Sequence, residues 1–439
     1  MLNGSSTVEA DAPPAVTAEY GSSGLDKIDS SVSSRAFLPV DTSGRSLTDA
    51  IAEVDFDGEG RLPPFPGWRR PLRSLVWGGR GLFGLVSLLL MLAVIAAIPI
   101  ANFIALGYLL EAEGRVGRSG RFRDGFPLLG LAPRLGTIAL GIYVWLLPLR
   151  IVSTNAAAAH IISPDSVQDA RLQTFKSIAG VVIGLHLCLA LARGGSLGCF
   201  VRPIKNLRWL LGQLRRGDYL QTASDNVGQF VSGLRLKHHF ILGIKGFVAA
   251  LIWLLVPTLV YATINRPQGP GVLQMLFGGI LLVLVLAWTP FLQARVAVEN
   301  RFRGGLERQQ VRDLFSFAPF AWLLALVVTY VLALPLYLFK AFILPRDALW
   351  PLTLVFIVSI YPTRLFTGWA YHRATRRREE GLRSRGVSRF TVRFLAMLPL
   401  LAVYVFILYF TQFLGAHGKL TLYEHHVFLL PWPYLLGEG

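Results

Sequence analysis

The sequence predicts an all-α fold: a polytopic transmembrane bundle of about eight spans behind a disordered acidic N-terminal tail. Three observations carry that prediction. Of 439 residues, 53% are hydrophobic and only 16% charged, where soluble domains carry about a quarter charged, and mean hydropathy is +0.51. Apolar runs of about 20 residues, the length that crosses the hydrocarbon core, recur along the chain. Arginine and lysine collect in alternate loops between those runs. A soluble enzyme, a secreted disulfide scaffold and a nucleic-acid-binding domain are excluded, and the lipid bilayer is the expected partner; the residues name no protein partner.

Residues 1–60 hold eleven acids and three bases. With Ser, Gly and Pro throughout and no sustained apolar period, they cannot bury enough surface to fold alone. A short helical patch at Leu47–Val54 interrupts an otherwise disordered tail. No basic n-region precedes an apolar core, so the tail is not read as a cleaved signal. It is expected to contribute nothing to the membrane fold. A basic juxtamembrane segment, 61–80, follows with Arg61, Arg69, Arg70, Arg73 and Arg80.

The eight apolar runs are 81–110, 134–160, 174–193, 240–264, 271–295, 316–342, 348–371 and 392–415. Prolines inside them (Pro99, Pro148, Pro257, Pro290, Pro335, Pro362, Pro399) predict kinks, tolerated where neighbours satisfy the freed carbonyls. Gly180 and Gly184 in the third run make a small-xxx-small pair suited to close helix contact. Residues 416–439 form a C-terminal interfacial segment.

The loops orient the bundle. Those after the first, third, fifth and seventh runs are rich in arginine; the intervening ones are short and nearly uncharged. The positive-inside rule then places the odd loops in the cytoplasm of a cell (inner) membrane and the C-terminus outside. The first run spoils the pattern by being basic on both flanks. At 30 residues it is about 45 Å as helix, so a tilted crossing kinked at Pro99 is expected, with a hairpin bending back at Pro99 as the alternative. Two halves, 81–264 and 265–415, suggest parallel four-helix repeats. Glu113-Gly114-Arg115 with Arg123-Asp124 matches Glu299-Asn300-Arg301 with Arg312-Asp313.

The stretch Pro99-Ile100-Ala101-Asn102 through Gly107-Tyr108-Leu109, with Arg115 and the turn into Gly125-Phe126-Pro127, resembles a family of uncharacterised bacterial polytopic membrane proteins over about residues 95–150. That resemblance implies the membrane class and carries no activity.

Ionisable groups within membrane spans are the default functional candidates. No acid lies at the middle of a run, so a proton-relay carboxylate of the usual kind is missing and no catalytic residue is assigned. Arg150, with Asn155 and Asn102, is the candidate ligand-binding set, because a guanidinium without an adjacent acid suits a phosphate or carboxylate. Arg364 and Lys245 are expected to snorkel to the cytoplasmic face. Glu111, Glu113 and Glu299 are expected to pair with nearby arginines. The cysteines Cys188 and Cys199 fit neither a disulfide framework nor a metal spacing. The only local histidine cluster, His417 with Glu424-His425-His426, lacks a metal motif, so no metal or cofactor is expected.

The long loop 194–239 carries Trp209, Leu210, Leu211 and Leu214 at helical spacing among basic residues, the pattern of an amphipathic helix on an anionic leaflet. Arg202, Lys205 and Arg208, with Arg376, Arg377 and Arg378, are the residues expected to face anionic headgroups. Two functional classes follow: a non-enzymatic transporter-like bundle or membrane scaffold that binds anionic lipid, and, as the alternative, a lipid-modifying membrane enzyme.

Overall fold

The computed structural model describes Gly67, Arg69 and residues 71–262, 270–338, 349–413, 422–425 and 427–429, all within one compact unit, Asp55–Gly439. The acidic stretch 1–60 and the histidines His417 and His426 lie outside the described residues. Every regular element among the described residues is helical. Eight helices there are long and apolar enough to cross a membrane, and this is a multi-pass membrane protein.

The first apolar run is two helices, α1 (Pro71–Ala97) and α2 (Asn102–Ser119). Pro99 has no N–H to offer, and Ile100 sits in the left-handed region at φ 68°, a conformation a β-branched residue rarely adopts. The helix therefore stops instead of kinking. Contacts with α13 (Leu349–Glu379) show which way each piece runs. Thr353 donates to the Ala93 carbonyl at 2.8 Å. One to two turns on, Tyr361 meets Tyr108 and donates to the Gly125 carbonyl, and Gly84 packs on Leu129 and Pro133, which follow that carbonyl. Further on, Arg364 meets Glu113, and Gly368 lies against Gly117. Descending α13 thus steps backward along α1 and forward along α2. The two form a hairpin, and Arg73 at the start of α1 and Arg115 to Arg123 at the end of α2 return to one end of the bundle. The expected kinked crossing is corrected accordingly, and the conflict with the positive-inside rule disappears.

Helices α3 (Ala132–Ile162) and α4 (Val167–Ala192) follow as an antiparallel pair, joined by His160–Asp169 at one end and by Trp145 and His186 donating toward the Phe200 carbonyl near the other. Three shorter helices come next: α5 (Leu197–Val201), α6 (Pro203–Arg216) and α7 (Tyr219–Gly233). Then come α8 (Leu236–Ala262), α9 (Pro270–Leu286), α10 (Thr289–Glu299), α11 (Arg308–Phe315) and α12 (Pro319–Leu338). After α13, a short α14 (Gly386–Phe390) leads through a π-helical segment (Thr391–Met397) into α15 (Leu398–Thr411).

The core is built around α2, buried over most of its length between α8, α10 and α13. Glycine makes this approach possible. A Cβ on Gly107 would lie 1.6 Å from the His239 carbonyl oxygen of α8, and one on Gly368 would lie 2.3 Å from the Glu113 oxygen. Without a hydrophobic drive between helices in lipid, such backbone proximity is what lets them associate. The expected pair Gly180/Gly184 makes no such contact: a Cβ on Gly184 would meet nothing within 4 Å, and one on Gly180 only Leu149 at 4.0 Å.

An internal repeat is visible in the backbone. Helix α2 ends on left-handed Gly120 (φ 70°, ψ 4°), then extended Arg121 (φ −109°, ψ 120°), then a 3-10 turn at Phe122–Gly125. Helix α10 ends on left-handed Asn300 (φ 50°, ψ 26°), then extended Arg301 (φ −118°, ψ 129°), then a 3-10 turn at Phe302–Gly305. Both run against α8: Phe103 and Glu111 meet Gly243 and His238, while Gly278 of α9 and Gln293 meet Tyr261 and Gly246. The backbone offset is 180 residues (120 to 300), whereas matching Glu113 to Glu299 requires 186. At the backbone register Glu113 corresponds to Gln293, Arg115-Val116 to Arg295-Val296, and Arg121-Phe122-Arg123 to Arg301-Phe302-Arg303. Duplication of the whole halves 81–264 and 265–415 stays a proposal.

Candidate functional site

The most deeply buried charges are Glu113 and Arg364, with side chains 0% and 3% exposed. Arg364 Nη1 donates to Glu113 Oε2 at 3.0 Å and to Gln293 Oε1 at 2.9 Å, and Nη2 donates to the Val427 carbonyl. Gln293 Nε2 in turn donates to the Gly246 and Phe428 carbonyls, both at 2.9 Å. One guanidinium thereby joins α2, α8, α10, α13 and the segment 427–429. Glu113 Oε1 and Arg364 Nε are buried with no hydrogen-bond partner among the described residues. Arg364 does not snorkel as expected. It lies mid-helix, two residues after Pro362, with a carboxylate brought to it from 251 positions away.

Two residues earlier on α2, Glu111 behaves as the local-pairing expectation has it. It accepts from Arg115 at 3.0 Å and Arg118 at 3.3 Å, and also faces His238 at 3.2 Å. Glu299 likewise pairs with Arg295 and Arg301. The two acids of α2 differ in their surroundings: Glu111 meets Arg115, Arg118 and His238, whereas Glu113 meets Arg364 among the described residues. Beside them, His239 is buried, its ring 5.7 Å from that of Tyr108, and neither ring nitrogen has a partner among the described residues. Lys245 donates to the Asn300 carbonyl at 2.9 Å.

The expected ligand set is spread over two helices. Asn102 is buried at the start of α2, with Oδ1 unpartnered among the described residues. Arg150 and Asn155 are exposed on α3, which continues through Pro148 to Ile162. Five residues apart, they point about 140° away from each other around the helix. His425, from the expected histidine cluster, bonds Thr258 at 2.8 Å. Cys188 is exposed and Cys199 buried, both free.

Of the expected apolar set on α6 only Leu211 and Leu214 are exposed, Trp209 and Leu210 being half-buried. Arg202, Lys205 and Arg208 are exposed. Helix α6 also exposes Ile204, Leu207, Leu211 and Leu214, each 50–68% accessible, and these fall on one stripe at 100° per residue, with the cations in the adjoining quadrant. Asn206 is the only buried residue of α6. It donates to the Cys199 carbonyl at 2.6 Å and accepts from Arg193 at 3.0 Å, pinning the helix at one point. At the end of α13, Arg378 is exposed, Arg376 pairs with Glu380 at 2.9 Å, and half-buried Arg377 donates to the Phe317 carbonyl at 3.3 Å. Sequence reasoning missed the Glu113–Arg364–Gln293 cluster. The repeated Arg-Val and Arg-Phe-Arg pattern, aligned on the left-handed residues, would have paired Glu113 with Gln293.

No protein-family model, curated protein or solved structure matches the chain.

Proposed function

We propose that this protein is a scaffold of the inner membrane that gathers anionic phospholipid on the basic end of a packed bundle, with its C-terminus on the opposite side. The observation that carries the reading is α6. It exposes four large aliphatic side chains beside Arg202, Lys205 and Arg208, and is fixed to the bundle through Asn206. In water this arrangement is costly, since burying each aliphatic side chain is worth about 1.5–3 kcal/mol. Lying in the interface, the stripe enters the acyl boundary and each cation gains about 1 kcal/mol from an anionic surface. The test is hydrogen exchange of the full chain in nanodiscs. Amides of 203–216 should be more protected with phosphatidylglycerol than with phosphatidylcholine alone, and the R202Q/K205Q/R208Q variant should lose that difference. Equal protection in both lipids would overturn the reading.

A second reading, a transporter-like bundle, draws on the buried cluster. A buried carboxyl beside a guanidinium can exchange a proton if an alternate conformation exposes it. Labelling with a membrane-permeant carbodiimide tests this. Modification of Glu113 that is lost in Glu113→Gln favours transport, and a Glu113 inert across pH 6–8 removes the basis for it.

A further inference from the structure

An apolar groove of about 620 Å³ runs between α9, the π-helical segment and α15, closed at its back by Tyr261 and Val405. Its wall on the last span extends from Phe394 to Phe410, about 24 Å of helix at 1.5 Å per residue, which exceeds the roughly 15 Å of one leaflet's hydrocarbon. At the Phe394 end stands a group of cations. Arg393, the residue before Phe394, lies 5.0 Å from the Phe315 ring and 5.6 Å from the Trp288 ring. Arg312, which is exposed, and Arg389 are close enough to act on its charge. The Nε atoms of both Arg389 and Arg393 are buried without a hydrogen-bond partner among the described residues. Buried guanidinium donors without a partner call for an anion. The π-helical segment Thr391–Met397 carries Arg393 and Phe394 together; such wide turns are rare overall and are frequent at functional sites.

We infer that this groove holds one anionic phospholipid, its phosphate on Arg389, Arg393 and Arg312 and an acyl chain along Phe394, Leu398 and Phe406. The inference deepens the lipid-binding reading by naming a discrete site, and it uses no residue of α6. Planar guanidinium groups match phosphate oxygens bidentately, which suits a headgroup held at a fixed place better than a diffuse basic surface does. A zwitterionic lipid would bring its own cation to an end of the groove where Arg389 and Arg393 already stand.

The experiment is native mass spectrometry of the full chain in mild detergent, offered phosphatidylglycerol or phosphatidylcholine after delipidation. The wild type should retain one phosphatidylglycerol in preference to phosphatidylcholine. R389Q/R393Q should weaken retention about tenfold or more, given about 1.5–3 kcal/mol for each hydrogen bond to a charged group. Ala402→Trp, which fills the exposed groove without touching an arginine, should displace the same lipid and serves if the arginine variant misfolds. R202Q/K205Q/R208Q should leave that one lipid bound, so loss of the α6 effect and loss of this site are read separately. Equal retention of phosphatidylcholine, retention in both site variants, or thermal protection by inorganic phosphate equal to that by the lipid would each overturn the proposal.

Discussion

Replacing Arg364 by methionine should be among the most destabilising single changes in this chain. The side chain is 3% exposed and serves three acceptors: Glu113 Oε2, Gln293 Oε1 and the Val427 carbonyl. Removing it strands a carboxylate of 0% exposure. Breaking one side of a buried pair costs about 3–5 kcal/mol, whereas replacing both partners by apolar groups of similar volume is often neutral or stabilising. The double variant E113L/R364M should therefore recover most of the loss, giving a coupling of at least about 2 kcal/mol in the double-mutant cycle. Denaturant titration in mild detergent, followed by tryptophan fluorescence, measures the cycle. A cost below about 1 kcal/mol, or strict additivity of the two single changes, would refute the reasoning.

Gly107→Leu should abolish folding or cost more than about 3 kcal/mol, since its Cβ would lie 1.6 Å from the His239 oxygen. Gly184→Ala, with nothing within 4 Å of the new Cβ, should be neutral or stabilising by up to about 1 kcal/mol in the same denaturant titration. Reporter fusions at Gly195, Gly304 and Arg383 should all report cytoplasm, and cysteines at Leu72 and Arg123 should be labelled from that same side. Opposite labelling of the last two would remove the α1–α2 hairpin. Gln293→Glu should cost more than Glu113→Gln, measured by the same titration, because it turns the amide that donates to Gly246 and Phe428 into an acceptor.

The spans were legible because run length and charge density depend only on local sequence, so each apolar run overlaps a long apolar helix, the first only as far as Ala97. Glu111 was legible for the same reason, since Arg115 lies one turn away. The turn back at Pro99 was legible only as the alternative to a kinked crossing. A membrane proline ordinarily kinks a helix, and whether the chain turns back depends on the pocket that receives α2. The Glu113–Arg364 pair was hidden by its 251-residue separation, and mid-helix arginine near a predicted face reads as a snorkelling residue without it. The glycine reading failed similarly. Gly180 and Gly184 have the motif spacing, yet the close approaches involve Gly107, Gly243 and Gly368, each opposing another helix's backbone. The repeat was noticed through its acids but in the wrong register, because Glu-x-Arg is common by composition while a left-handed residue followed by Arg-Phe-Arg is a backbone requirement.

That register explains why the two copies differ where they meet. Glu113 and Gln293 occupy equivalent positions on α2 and α10 and both bond Arg364. Two carboxylates around one guanidinium would leave net negative charge in a dry site, and like charges so close resist joint ionisation. Two amides would leave the guanidinium unneutralised. One acid and one amide is the combination that balances the charge. The neighbours decide which copy carries which. Gln293 faces the Gly246 and Phe428 carbonyls and must donate to both, which a carboxylate cannot do. Glu113 meets no such acceptors among its hydrogen bonds, and its charge is compensated by Arg364 alone. The two matching helix ends share a single ion pair. It ties α2, α8, α10 and α13 to one another, and just beyond or at the ends of α2, α10 and α13 stand Arg121, Arg301 and Arg376–Arg378, so the buried cluster and the basic end of the bundle are carried by the same helices.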